Sequence, residues 1–157
     1  MSGGEAGARP GRSAAGDALT ELVLRVFRLS GLFLAAAEDM ARPAGLTAAR
    51  WQVLGAVLRE PLTVSGVARG MGLTRQAVQR LADALVEEGM AEYLPNPAHR
   101  RAKLLRATPA GWAAIGVIRP PQYAWTNRVT RDIPADELRR AVATIDRLVA
   151  ELEGPGE

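Results

Sequence analysis

The sequence predicts a mainly α-helical fold carrying one small β-hairpin, on three observations. Apolar residues recur at three- and four-residue spacing in several stretches bounded by Thr, Gly and Pro, the period of helices with one buried face. Residues 64–89 read as two short helices joined by a glycine turn. Directly after them, strand-like segments at 91–94 and 103–107 flank a loop containing Asn96-Pro97. At 157 residues the chain is long enough for one domain with a real core.

The boundaries follow from small polar and special residues. Residues 1–16 are mostly Gly, Ala, Ser, Arg and Pro with no apolar period, and are expected to form a disordered arm. A long helix is predicted over 17–41, with the Asp17 carboxylate near its positive end. Leu19, Leu22, Val23, Val26, Leu29, Phe33 and Ala37 form one stripe on it, while Leu24, Phe27, Gly31 and Leu34 lie off that stripe. A helix apolar on more than one face needs a cover that so small a domain rarely supplies, and a partner subunit is the simplest one. Pro43-Ala44-Gly45 breaks this helix. Thr47 caps the next, whose Trp51, Leu54 and Leu58 point inward and which is expected to end near Glu60-Pro61.

Thr63 caps a short helix to Gly70, and Thr74 caps one reaching about Glu88 before Gly89 stops it. After the strands, Thr108-Pro109 restarts helix, with proline at the first position where its missing N–H costs nothing. Pro120-Pro121 is expected to kink or break that helix. Pro134 opens the last one, where Leu138, Val142, Ile145, Val149 and Leu152 step alternately by four and three. So narrow a seam suits packing against another long helix.

Composition narrows the chemistry. The absence of cysteine rules out disulfides, thiolate zinc sites and cysteine redox switches, and the single histidine, His99, makes a histidine-rich metal site implausible. No metal or cofactor is therefore expected. No apolar run approaches the length of a membrane span, and the N-terminus lacks the basic-then-apolar layout of a signal peptide, so the expectation is a cytoplasmic protein with no membrane partner. The net charge of +3 is modest, so nucleic-acid binding would have to come from charge placed locally.

Such placement exists. On the helix capped by Thr74, Val78, Leu81 and Leu85 share one face, and Gln76, Gln79, Arg80 and Asp83 share the opposite one. A solvated polar face would look the same, but Gln and Arg carry planar groups that suit adenine and guanine edges. Thr74 and Arg75 sit at the helix start, where backbone N–H groups and the dipole favour a phosphate. The preceding helix adds a small residue, Ala68, where two helices can cross closely, and Gly72 four residues later for the turn. Val67, Leu73, Val78 and Leu81 are then the expected shared core. Arg100, Arg101 and Lys103 cluster at the hairpin tip, flanked by Tyr93, Leu94, Leu104 and Leu105. A basic hairpin directly after such a helix reads as a wing that grips phosphates or enters the minor groove.

Three segments carry a family likeness: LTAARWQVLGAV, the helix–turn–helix with LTRQAVQRLADALVEEGMAEY, and the wing NPAHRRAKLLRATPAG. With them the chain resembles the MarR (multiple antibiotic resistance regulator) family of winged-helix transcription factors over about residues 17–153. The resemblance implies a homodimer in which the first and the last two helices interlock across a two-fold axis. Each subunit would present a winged helix–turn–helix lobe to double-stranded DNA at a pseudo-palindromic operator. The implied division is an arm (1–16), a dimerisation region (17–42 and 109–153) and a DNA-binding lobe (43–108). The family's reading-helix contacts fall on Thr74, Arg75, Gln76, Gln79 and Arg80, and its wing arginine falls on Arg101 with Arg100 beside it. His99 stands where many members carry an aspartate that braces the wing arginine; a neutral imidazole could accept one hydrogen bond from Arg101 and a protonated one could not.

Members of this family often bind small phenolic or aromatic anions between the dimer base and the DNA lobe, which loosens DNA binding. Phe33, Trp51, Trp112, Tyr123 and Trp125 are the candidates to line such a pocket here, with Arg25 or Arg28 to meet a carboxylate; the same aromatics also read as ordinary core. The resulting expectation is a dimeric, sequence-specific repressor, released by a small aromatic ligand. The alternative is a winged-helix module for protein contacts that never touches DNA. An enzyme is disfavoured: Glu38-Asp39 and Glu87-Glu88 are adjacent on helices and diverge, and His99 has no nucleophile beside it.

Overall fold

Side-chain oxygens start five of the six α-helices in the computed structural model, which describes residues 11–154. Helix α1 (Ala14–Ala41) begins at Ser13, whose hydroxyl accepts from the Gly16 N–H at 3.0 Å. A single 3₁₀ turn (Arg42–Ala44) leads to α2 (Ala48–Ala56), capped by Thr47 at 3.2 Å from the Arg50 N–H. Thr63 caps α3 (Val64–Met71), Thr74 caps α4 (Arg75–Glu87) and Thr108 caps α5 (Pro109–Val129). Each such cap satisfies an orphan donor and contributes about 1 kcal/mol. The last helix, α6 (Ala135–Glu153), opens at Pro134 with no side-chain cap.

Between them lies a three-stranded antiparallel sheet in the order β1 (Leu62–Thr63), β3 (Leu104–Ala107), β2 (Ala91–Leu94). The hairpin pairs Ala91 with Ala107, Glu92 with Arg106, Tyr93 with Leu105 and Leu94 with Leu104. Strand β1 adds Leu62 opposite Leu105 and Thr63 opposite Leu104. Sheet and helices share one core, in which Val53, Leu54, Val67, Val78, Leu85, Leu105 and Ile118 are almost wholly buried. Mostly helical with one small antiparallel sheet, the molecule has the predicted fold class.

The structure departs from the sequence expectations at five places. First, α1 starts three residues before Asp17, so 14–16 are helical rather than arm; residues 1–10 of the expected arm lie outside the described residues. Second, α2 stops at Ala56 rather than near Glu60-Pro61. Val57 and Leu58 turn back with N–H bonds to Leu54 and Gly55, which gives the chain room to reverse into β1. Third, β1 was not expected; two residues are too few to show a period. Fourth, α5 runs unbroken through Pro120-Pro121. The two prolines remove the donors that would face the Gly116 and Val117 carbonyls, but both residues are exposed and water can replace the bonds. Packing holds both halves of the helix, with Ile118 in the core and the Trp125 ring edge-on to Phe33 at 5.9 Å. Fifth, Leu73, expected in the core, is 41% exposed.

Two helices find little cover within the chain. Of α1 only Ala41 is buried, and of α6 nothing is. The seam of α6 lies open at Leu138, Val142, Ile145, Val149 and Leu152, the last 86% exposed. Along α1, Leu24, Phe27, Leu32 and Leu34 are exposed as well. Among the described residues, no helix is long and apolar enough to cross a membrane.

Candidate nucleic-acid interface

Helix α4 is positioned by a tight turn and a buried stripe. Gly72 adopts φ 63°, ψ 30°, the left-handed conformation that costs a glycine least, and caps α3 through bonds to the Ala68 and Arg69 carbonyls. The Leu73 N–H also returns to the Ala68 carbonyl at 3.0 Å. Beyond the turn, Val78, Ala82 and Leu85 are fully buried, and α2 and α3 both pack against α4. These contacts leave Thr74, Arg75, Gln76 and Arg80 on the open side, with Gln79 half-buried toward the hairpin. The first turn of α4 carries no acidic residue, so the positive end of its dipole is unopposed.

The hairpin brings a second set of cations to the same side. Its tip holds Arg100, Arg101 and Lys103, all exposed. A hollow of about 230 Å³ between the α3–α4 unit and the hairpin is lined by Arg75, Gln79, Arg101 and Lys103, together with Ser65 and Tyr93. A shallower depression beside it is lined by Arg75, Gln76, Gln79 and Arg80. The two share Arg75 and Gln79, so the reading-helix and wing candidates form one continuous surface; Arg100 lines neither hollow.

Grouping of unneutralised cations marks this surface. Elsewhere Arg12, Arg25, Arg42, Arg50, Arg106 and Arg140 each meet a carboxylate, and the other described arginines without a partner are spread over α1, α3, α5, α6 and the turns. Among the described residues, Arg75, Arg80, Arg100, Arg101 and Lys103 meet none. Unpaired guanidinium groups on one face make an electropositive patch that attracts a polyanion. His99 does not act as a brace here: its backbone N–H donates to Asn96, and its ring makes no hydrogen bond to Arg101.

One polar cluster on this surface was not foreseen from the sequence, where Tyr93 read only as an apolar strand position. The Tyr93 hydroxyl donates to Asp83 Oδ1 at 2.6 Å, and Gln79 Nε2 lies 3.0 Å from that oxygen and 2.9 Å from the phenol oxygen. Burial, and then the hydrogen bond to the Asp83 carboxylate, push the phenol pKa up from 10.0 to about 12. The available sequence signal was the i,i+4 spacing of Gln79 and Asp83 on one helix face.

Residues 44–102, from the 3₁₀ turn to the wing tip, match the sequence model of the MarR family. An uncharacterized protein of Mycobacterium tuberculosis, Rv2011c, is 36% identical over 137 residues, covering 87% of this chain and 96% of its own. Among solved structures, the chain is similar to CouR from Rhodococcus jostii RHA1 bound to p-coumaroyl-CoA, with 26% identity, a TM-score of 0.72, and coverage of 81% and 90% of the two chains. A mutant MarR from E. coli complexed with operator DNA superimposes with a TM-score of 0.73 at 21% identity, over 88% of this chain and all of that one. The chain belongs to the MarR family. MarR-family proteins are transcription regulators, not enzymes.

In this MarR-family chain the aromatic candidates divide. Phe33, Trp51 and Trp125 surround a cavity of about 210 Å³ between α1, α2 and α5, with Ala37, Met40, Gln122 and Thr126 completing it. Trp112 lies elsewhere, its ring 5.8 Å beneath the Arg119 guanidinium, and Tyr123 is 60% exposed and lines no part of the cavity. Arg25 and Arg28 do not reach it either. Arg25 sits eight residues before Phe33, roughly two turns away, and its guanidinium bonds to the Glu21 side chain and carbonyl. Among the residues lining the cavity, Gln122 and Thr126 carry an amide and a hydroxyl, and Trp51 and Trp125 each carry an indole N–H donor.

Proposed function

We propose that this protein is a dimeric, sequence-specific repressor. Its operator contacts come from Thr74, Arg75, Gln76, Gln79 and Arg80 on α4 and from Arg100, Arg101 and Lys103 on the wing. The observation that carries this reading is the continuous surface on which Arg75, Arg80, Arg101 and Lys103 stand together without a carboxylate partner. In this reading α4 enters the major groove and the wing grips the flanking backbone. The lobe would be residues 43–108. Residues 17–42 and 109–153 would form the dimerisation region, which gives the open apolar faces of α1 and α6 their cover. A two-fold dimer places two copies of α4 on a pseudo-palindromic site with half-sites about one helical turn, roughly 10 bp, apart.

The Phe33–Trp51–Trp125 cavity is the site we assign to a small aromatic or phenolic effector, with Gln122 and Thr126 as its hydrogen-bond partners. Support comes from the structural neighbour CouR, which is bound to an aromatic acyl thioester. The deciding experiment is selection of an operator from random duplexes, followed by gel shifts at roughly physiological salt. Arg80→Ala should cost about 1–3 kcal/mol on the selected site and relax base choice there. Failure to enrich any sequence would leave the protein-interaction module as the better reading. Equal binding by wild type, Arg80→Ala and Arg101→Ala would remove the residue assignment.

A further inference from the structure

The Tyr93–Asp83–Gln79 cluster bears on which base α4 reads. Tyr93 belongs to β2 at the base of the wing and Gln79 and Asp83 to α4; Gln79 borders both hollows of the interface, Tyr93 the first, and Asp83 neither. Distances of 3.0, 2.9 and 2.6 Å make the three polar atoms a nearly equilateral triangle. Two acceptors so placed subtend less than half the angle that separates the two hydrogens of a trigonal amide nitrogen. One N–H of Gln79 is therefore shared between the phenol and carboxylate oxygens, and the second remains unused.

Electrostatics decides which hydrogen is shared. A primary amide has one N–H on the same side as its oxygen and one on the far side. Sharing the near-side hydrogen would turn Oε1 toward the Asp83 carboxylate, oxygen against anion. Sharing the far-side hydrogen turns Oε1 away from it. The same reasoning fixes the amide against a flip, because the flipped group would set Oε1 against both Asp83 and the phenol oxygen. What remains unpaired is Oε1 and the N–H beside it, one acceptor and one donor in a single plane. In the major groove that pair matches the N6 donor and N7 acceptor of adenine; guanine offers two acceptors there and cytosine only a donor.

We propose that Tyr93 and Asp83 are positioning residues that hold the Gln79 amide ready for an adenine, so that a wing-base tyrosine sets base choice without touching DNA. This rests on the proposed operator binding. Neither residue supplies a cation, and the Tyr93 hydroxyl hydrogen is already committed to Asp83, so neither is assigned a phosphate contact.

The experiment is selection from random duplexes with wild type, Gln79→Ala, Tyr93→Phe and Asp83→Ala, with affinities then measured at several salt concentrations. Gln79→Ala identifies the base pair in each half-site that depends on Gln79. That pair should be A·T in the wild-type operator. Tyr93→Phe and Asp83→Ala should each select the same operator yet discriminate roughly two- to tenfold less at that one pair, the cost of ordering a long side chain no longer held beforehand. The salt slope of Tyr93→Phe, which changes no charge, should equal that of wild type. Asp83 is exposed and alanine is a strong helix former, so Asp83→Ala gives the answer even where Tyr93→Phe loosens the hairpin. A Gln79-dependent pair other than A·T overturns the inference while leaving operator binding intact. So does undiminished discrimination by both positioning variants. A wild-type protein that enriches no sequence overturns operator binding and this inference together.

Discussion

Gly111→Ala should destabilise the fold although it replaces glycine by the best helix former. Gly111 lies in the first turn of α5, where the helix meets the start of β2. A methyl group built there would stand closer than 3.0 Å to the Met90 carbonyl oxygen and 3.2 Å from Leu54 Cδ1. The carbonyl cannot swing aside cheaply. It accepts the Thr108 N–H at 3.1 Å, while the Thr108 hydroxyl donates to the Gly89 carbonyl at 2.6 Å and the Met90 N–H holds the Leu85 carbonyl at 2.8 Å. Two opposed magnitudes then decide the sign. Ala gains up to about 1 kcal/mol over Gly in a helix interior. Forcing extra volume into a packed site costs about 1–3 kcal/mol, and a backbone neighbour puts this case at the upper end. The net expectation is a loss of about 2 kcal/mol.

Gly116→Ala is the internal control. It lies on the same helix with nothing within 4 Å of the added carbon, so only the propensity gain applies, about 0.5–1 kcal/mol of stabilisation. Urea unfolding at one fixed protein concentration, compared at equal m, gives both values. If Gly111→Ala proved as stable as Gly116→Ala, the close contact between α5 and β2 would not exist in solution and the reasoning would fail.

Three further outcomes are expected. Arg101→Ala should weaken operator binding and reduce the slope of log K against log salt by about one unit if the guanidinium grips a phosphate, which titration at four or five salt concentrations measures. Val149→Asp and Ile145→Asp place a charge in the open seam of α6, at about 2 kcal/mol or more per copy when that seam is buried and twice that across a two-fold axis; sedimentation velocity should show monomer or unfolded chain, and an unchanged profile would refute the seam. Because the Tyr93 pKa is raised from 10.0 to about 12 on folding, its contribution to stability is complete below pH 10 and lost as pH climbs toward 12. Ultraviolet titration should therefore find a phenol ionising near pH 12 that disappears in Tyr93→Phe.

Local chemistry made most of the elements legible. Thr47, Thr63, Thr74 and Thr108 announce helix starts because a hydroxyl before an amphipathic run has one dominant use, and the structure shows each accepting an N–H within its own first turn. The hairpin was legible for a similar reason, since two short apolar segments around Asn96-Pro97 have few other ways to fold. What escaped notice depends on distant partners. Strand β1 exists because Leu62 meets Leu105 across more than forty residues of chain. The continuity of α5 through two prolines rests on Ile118 and Trp125 being gripped by other elements, which no local rule reports. Within the candidate site, residue types marked the cationic surface, but the tie between Gln79 and Tyr93 spans a helix and a strand and had no local signature. Arg25 was a candidate by residue type alone, and the structure does not place it among the residues lining the Phe33–Trp51–Trp125 cavity.

A consequence follows from how α2 is fastened. The Glu38 carboxylate, near the end of α1, accepts the Ala48 N–H at 2.8 Å and so anchors the front of α2 from outside. At the other side of the same short helix, Arg50 clasps Glu88 at the tail of α4 at 2.6 Å. The first turn of α2 is thus a junction, tied within three residues both to the long apolar helix and to the helix that carries Gln79 and Arg80. A junction that short leaves little chain between its two ties to absorb a tilt. When α1 leans relative to the lobe, either the 2.8 Å anchor snaps and leaves the Ala48 N–H unmatched, or the lean is delivered to the far end of α4.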